Sequence, residues 1–212
     1  MSYLLLNNNS SAPSAPSSGK IYLYSLSSDL MIKSIDSVGT IIPMNNHQVS
    51  STTASSGSIA NADTKISSGL LCSLNSLTVG SLVRYTIMGT CTSSAGGAQV
   101  FTIRYGSGNV VGDTSVATCS FTAQTSGTAI PFCLTINMTI RTIGGSGTVY
   151  GTGSLVNQGT TGVYTLATGN FVLAGSLAIA TNATGYLGLS YISGNASTAC
   201  TFQNVITELI RQ

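Results

Sequence analysis

The sequence predicts an all-β chain: an antiparallel two-sheet sandwich, most simply a jelly roll, with an extended N-terminal arm and a small N-terminal β-meander. Three observations lead there. Charged residues make up only 6% of the 212 residues, against roughly a quarter in an average soluble protein. Helix surfaces draw on Glu, Lys, Arg and Gln, which are scarce, whereas the abundant Ser, Thr, Asn and 24 Gly suit strand faces and turns. From residue 63 onward, short apolar runs alternate with polar residues at period two and are separated by glycine turns.

In chain order, residues 1–18 read as an arm. Tyr3, Leu4, Leu5 and Leu6 are apolar, and Asn7 to Ser18 is a polar run in which Pro13 and Pro16 favour an extended backbone. Such a segment buries nothing in itself, so a neighbouring surface is expected to hold it. Residues 19–43 form a three-strand meander: Lys20 to Tyr24, Leu30 to Lys33, and Ile41 to Pro43, with turns at Ser27-Ser28-Asp29 and Asp36 to Thr40. It is too small to stand alone. Residues 44–62, rich in Asn, Ser, Thr and Gly, read as a polar linker.

Residues 63–212 read as the jelly-roll domain. Strands are expected at 82–88, 100–105, 116–121, 132–141, 148–155, 171–180, 187–192 and 201–210. The clearest places Leu134, Ile136, Met138 and Ile140 on one face and Thr135, Asn137, Thr139 and Arg141 on the other. A strict period of two marks one buried and one wet face. Phe101, Ile103 and Tyr105 alternate with Thr102 and Arg104 in the same way. Turns fall at Gly96-Gly97, Gly106-Ser107-Gly108, Gly144-Gly145 and Gly194-Asn195.

Composition also narrows the chemistry. The seven cations, Lys20, Lys33, Lys65, Arg84, Arg104, Arg141 and Arg211, are dispersed, so no basic patch for nucleic acid is expected. The longest apolar stretch, Phe171 to Ala180, is about half a membrane span. Met1 to Asn7 lacks the basic segment of a secretory leader, so assembly in a cytoplasm is expected. A Ser-His-Asp arrangement has only His47 to use, and paired carboxylates would come from Asp29, Asp36, Asp63, Asp113 and Glu208. Asp29, Asp36 and Asp113 read as turn residues binding local backbone. No catalytic residue, cofactor or metal site is expected. The cysteines, Cys72, Cys91, Cys119, Cys133 and Cys200, lack zinc spacing and read as five free, small apolar side chains. Cys119 and Cys133 are equidistant from a turn at Ser126-Gly127 and would face each other if their strands formed a hairpin.

Two stretches resemble the jelly-roll structural proteins on virions of tailed bacteriophages. One is Ala15-Pro16-Ser17-Ser18-Gly19-Lys20-Ile21-Tyr22-Leu23-Tyr24, continuing through Leu30-Met31-Ile32-Lys33 and Asp36-Ser37-Val38-Gly39-Thr40. It is similar to a stretch near the start of many phage fibre and decoration proteins, except that Ser28-Asp29 replaces the usual Gly before the second hairpin strand. The other runs from Leu82-Val83-Arg84-Tyr85 through Gly89-Thr90 and Phe101 to Gly106, and closes with Val205 to Leu209. The resemblance implies a homotrimer located on the virion and assembled in the host cytoplasm. It implies a capsid decoration or cement protein whose partner is the major capsid protein or another virion protein. Attachment would then use Tyr3, Leu4, Leu5, Leu6, Lys20, Tyr22, Tyr24 and Lys33. The alternative is the knob of a tail fibre or spike that recognises a host surface glycan or protein. Decoration is the better expectation, because only about 60 residues precede the knob and the chain has no Trp and few acids.

Overall fold

The computed structural model describes residues 8–18, 20–26, 32–35, 37, 41–43, 47–53, 57–72, 77–93, 97–123, 127–157 and 170–211. Among these the only regular elements are strands. The chain divides into two compact units, 1–47 and 48–212.

The first unit is a four-stranded sheet in the order β1 (Asn8–Asn9), β2 (Tyr22–Leu26), β3 (Ile32–Ile35), β4 (Ile41–Pro43). The last three form the antiparallel meander that the apolar runs predict. β1 is an addition. It lies parallel to β2, with Asn8 opposite Ser25 and Asn9 opposite Leu26. A parallel pair needs a connection of about a dozen residues, and the proline-containing stretch 10–21 supplies it. This part of the arm is therefore fastened by its own chain.

The second unit holds two sheets. The smaller follows β11 (Thr114–Ala123), β10 (Gly97–Gly106), β15 (Gly185–Ser193) and β7 (Thr64–Lys65), with β8 (Leu70–Cys72) also on β15. The larger follows β14 (Asn170–Ile179), β13 (Gly147–Asn157), β12 (Gly127–Ile140), β9 (Leu82–Ser93), β16 (Thr198–Ile210) and β5 (His47–Thr52), with β6 (Ser58–Ile59) also on β16. Every ladder resolved between these strands is antiparallel. All eight strands expected after residue 63 are present, most of them longer than their apolar cores.

The inward faces of both sheets join in one core. Leu134, Ile136, Met138 and Ile140 are fully buried, and so are Phe101, Ile103, Tyr85 and Ile87. Phe202 of β16 ties the sheets together. Its ring centroid lies 5.0 Å from Tyr191 and 5.9 Å from Phe101 on the smaller sheet, and 6.1 Å from Phe132 on its own. These tilted and edge-on arrangements are those that aromatic quadrupoles favour.

One expectation changes, and one condition left open is settled. The segment 44–62 carries β5 and β6 instead of running as a plain linker. β5 is polar on both sides and is seated by hydrogen bonds: Gln48 Nε2 donates to Leu71 O (2.9 Å), Ser50 Oγ and Ser68 Oγ share one at 2.6 Å, and Ser68 N donates to Thr52 Oγ1 (2.7 Å). Nor do β11 and β12 make a hairpin. They lie in different sheets, so Cys119 sits opposite Phe101, and Cys133 opposite Met88 and Val156. All five cysteines are free.

Candidate attachment surface

The β2 run Ile21-Tyr22-Leu23-Tyr24 is apolar at consecutive positions, so both faces of its strand are apolar. One face carries Tyr22 and Tyr24, with Ile35 across the ladder; the other carries Leu23, with Ile32 on the neighbouring strand. Cover varies within both faces, since Ser25, on the Leu23 face, is buried at 6% exposure. Tyr24 and Ile35 are buried, at 2% and 4% exposure. Leu23 and Ile32 are 43% and 44% exposed, Tyr22 is 45% exposed, and Ile21, just before the strand, is 66% exposed.

Of the residues predicted for attachment, Tyr22 and Lys20 are exposed. The Lys20 backbone N–H closes a turn on Ser17 O at 3.1 Å. Tyr24 is buried, which makes it a packing residue and removes it from the free surface. The Lys33 backbone lies opposite Tyr24 and Pro43. Tyr3, Leu4, Leu5 and Leu6, the turn at Ser28-Asp29 and the Lys33 side chain lie outside what the structure describes. Ile21, Leu23 and Ile32 were missed. The signal for them was the unbroken apolar run, since a strand with one wet face alternates.

The charged groups of the second unit work as clamps. Arg104 leaves β10 on the outward face, opposite Gly188 of β15. Its Nε donates to Ser190 Oγ (2.8 Å), Nη1 to Asp113 O (3.0 Å) and Nη2 to Asp63 Oδ2 (2.5 Å). One guanidinium thus joins β15, the β10–β11 loop and the entry to β7. Asp113 accepts from the backbone N–H groups of Gly108 (3.2 Å) and Val110 (3.0 Å), the local turn role expected of it. That loop includes Asn109 at φ +54°, a left-handed conformation that Asn tolerates. On the larger sheet, Arg84 Nη1 is 3.7 Å from Glu208 Oε2, and its Nε donates to Asn137 Oδ1 at 3.0 Å. Asp29 and Asp36 lie outside the described residues. His47 opens β5 and is exposed. Among the described residues no three His, Cys, Asp or Glu side chains gather to hold a metal ion. No helix among them is long and apolar enough to cross a membrane.

An open apolar groove of about 590 Å³ crosses the outer face of the larger sheet. Met88, Thr90, Pro131, Cys133, Val156 and Gln203 line it, and no charged residue does. Its cause is local. The β9–β16 register shifts between Phe202 and Asn204, leaving Gln203 as an extra residue on the β16 side. A Cβ at Gly89 would collide with the Thr201 carbonyl oxygen. Sequence reading did not find this groove, because a bulge leaves no mark in residue type.

No family model matches the chain, and no curated protein matches it in sequence.

Proposed function

We propose that this chain is a structural protein of a tailed-bacteriophage virion: a capsid decoration or cement protein of jelly-roll fold, trimeric, held on the major capsid protein by its N-terminal unit. The observation that carries this reading is that Leu23 and Ile32 are exposed on one face of a small sheet in a unit of its own, with Ile21 exposed just before the strand and Tyr22 exposed on the opposite face. Exposed apolar side chains on so small a sheet are a mark of an interaction surface, and they fall in the stretch that is similar to one near the start of many phage fibre and decoration proteins. The jelly-roll assignment is supported by the way the chain passes between sheets. β9 lies in the larger sheet, β10 and β11 in the smaller, β12 to β14 in the larger, β15 in the smaller and β16 in the larger. Alternation of this kind is how double-sheet jelly rolls hide their edges.

Immunogold labelling or cryo-electron microscopy of the virion tests the reading. Label spread over the head is the expected result. Label confined to the tail transfers the protein to receptor recognition, and absence from particles ends the proposal. Native mass spectrometry of the full chain tests the trimer, which has three times the 21.5 kDa of one chain. A monomer at micromolar concentration would refute it.

A further inference from the structure

β9 and β16 run side by side, and Cys91 lies directly opposite Cys200 across their ladder. Both side chains point into the core, at 4% and 0% exposure. Directly opposed residues in an antiparallel pair have Cα atoms about 4.5 or 5.5 Å apart, depending on the type of pair, and a disulfide spans about 4.4 to 6.8 Å. No other cysteine has such a partner. Cys72 faces Gly185, Cys119 faces Phe101, and Cys133 faces Met88 and Val156. The two residues are more than 100 positions apart, so only the strand register brings them together.

We propose that Cys91 and Cys200 form a modification site: a reversible cross-strand disulfide made by exchange with a small-molecule disulfide such as oxidised glutathione. The Cys91 thiolate attacks one sulfur of the small disulfide, and one small thiolate leaves. Cys200, deprotonated in turn, attacks the Cys91 sulfur of the mixed disulfide and expels the second. The protein thiols lose two electrons, which reduce the small disulfide, and their two protons end on the two small thiols.

The surroundings suit this chemistry. The adjacent Cys200 thiol lowers the Cys91 thiol from its ordinary range, which favours Cys91 as the first attacker. Cys200 is pushed the other way by the adjacent Cys91 thiol and by burial. Cys200 Sγ also donates to Gln99 Oε1 at 3.6 Å, an oxygen that accepts the Tyr191 hydroxyl as well. Loss of the thiol proton therefore leaves that buried acceptor with a donor. Access lies at the end of the ladder. Only the pairs Thr92–Ala199 and Ser93–Thr198 separate the cysteines from its terminus, where the Ser93 and Thr198 hydroxyls share a 2.8 Å hydrogen bond. Fraying of those two pairs admits the oxidant. The bond then ties the strand that carries β5 and β6 to the centre of the larger sheet.

The test uses the full chain in glutathione buffers of increasing oxidised fraction, followed by acid quench, alkylation in denaturant without reductant, and peptide mapping. The expected species has Cys91 joined to Cys200 and the other three of the five cysteines alkylated. It should revert with dithiothreitol and show a higher urea midpoint than the reduced protein. Cys91→Ala and Cys200→Ala should each abolish it, and Cys119→Ala should not. Should an alanine variant fail to fold, the wild-type peptide map decides alone. Five alkylated cysteines at every setting, while the denatured chain forms disulfides in the same buffers, would overturn the proposal. So would a link between any other pair.

Discussion

Replacing Arg104 by Met keeps most of the aliphatic stem and removes the guanidinium. The structure sets the size of the loss. The side chain is 15% exposed, and it donates to Ser190 Oγ, to the Asp113 carbonyl and to the Asp63 carboxylate. Hydrogen bonds to a charged group contribute about 1.5–3 kcal/mol each. Asp63 is 32% exposed, so solvent screens its share to about 0.5–1 kcal/mol. The two sheltered bonds dominate, and their effects overlap because one group makes both. Arg104→Met should therefore cost about 2–4 kcal/mol, whereas Asp63→Asn should cost about 0.5–1 kcal/mol. With a urea m-value of about 2 kcal/mol/M, the first change lowers the midpoint by about 1–2 M and the second by less than about 0.5 M. Salt should weaken the ion-pair share of both losses, which is nearly all of the Asp63→Asn effect and a minor part of the Arg104→Met effect. Equal losses for the two variants would show that the ion pair, and not the bridge between β15 and the β10–β11 loop, is what Arg104 supplies.

Ile136 is fully buried on a strand flanked by β9 and β13, and one of its neighbours across the ladder is Gly153, which has no side chain to fill a void. Ile136→Ala should cost about 2–5 kcal/mol in chemical denaturation, and Thr135→Ala on the outer face much less; equal costs would put the faces the wrong way round. Burial pushes the Cys72 and Cys119 thiols from 9.0 up to about 12. Their folded values exceed their unfolded ones, so this contribution is complete below pH 9 and is lost as pH rises toward 12; the urea midpoint should fall across that window, and less steeply in Cys119→Ala. Removing residues 1–18 should leave the 48–212 unit folded and weaken binding to capsids in a co-sedimentation assay, with Leu5→Asp doing the same to a smaller degree; undiminished binding would take the arm out of attachment.

The strands that sequence made legible are those whose two faces differ chemically. On β12 the inward positions are Leu134, Ile136, Met138 and Ile140, the outward ones Thr135, Asn137 and Thr139, and the structure follows that alternation residue by residue. β5 escaped notice for the opposite reason. His47-Gln48-Val49-Ser50-Ser51-Thr52 puts its one apolar residue, Val49, at 51% exposure, so its side chains carry no period. What places β5 is hydrogen bonding to residues distant in sequence: Gln48 binds Leu71 O and accepts from Arg211, and Ser51 donates to Asn204 Oδ1. The Cys91–Cys200 pairing was hidden likewise, because strand order is a long-range property. Cysteine spacing suggested Cys119 with Cys133 through a hairpin, but β11 and β12 lie in different sheets. The exposed apolar residues around β2 were legible in part. Tyr22 stood out by type, whereas Leu23 and Ile32, on the opposite face, needed the ladder to place them together.

The charge economy of the second unit bears on how it would meet its neighbours. Arg104 is matched by Asp63, and Arg84 by Glu208 and Asn137. Arg211 is 4% exposed, with Gln48 Oε1 accepting from its Nη2. Asp113 is used by the backbone of its own loop. These groups secure loops and strand ends, while of the unit's two other cations Arg141 is exposed and Lys65 partly so. Hydroxyls and apolar side chains remain on the sheet faces, among them Met88, Tyr150 and Val156 at 42%, 50% and 61% exposure. Bringing such a face against another copy desolvates few ions, and charge desolvation is the largest penalty an interface can incur. A soluble monomer gains from the reverse arrangement, with dispersed charges facing water. A composition of 6% charged residues is compatible with the trimer proposed above.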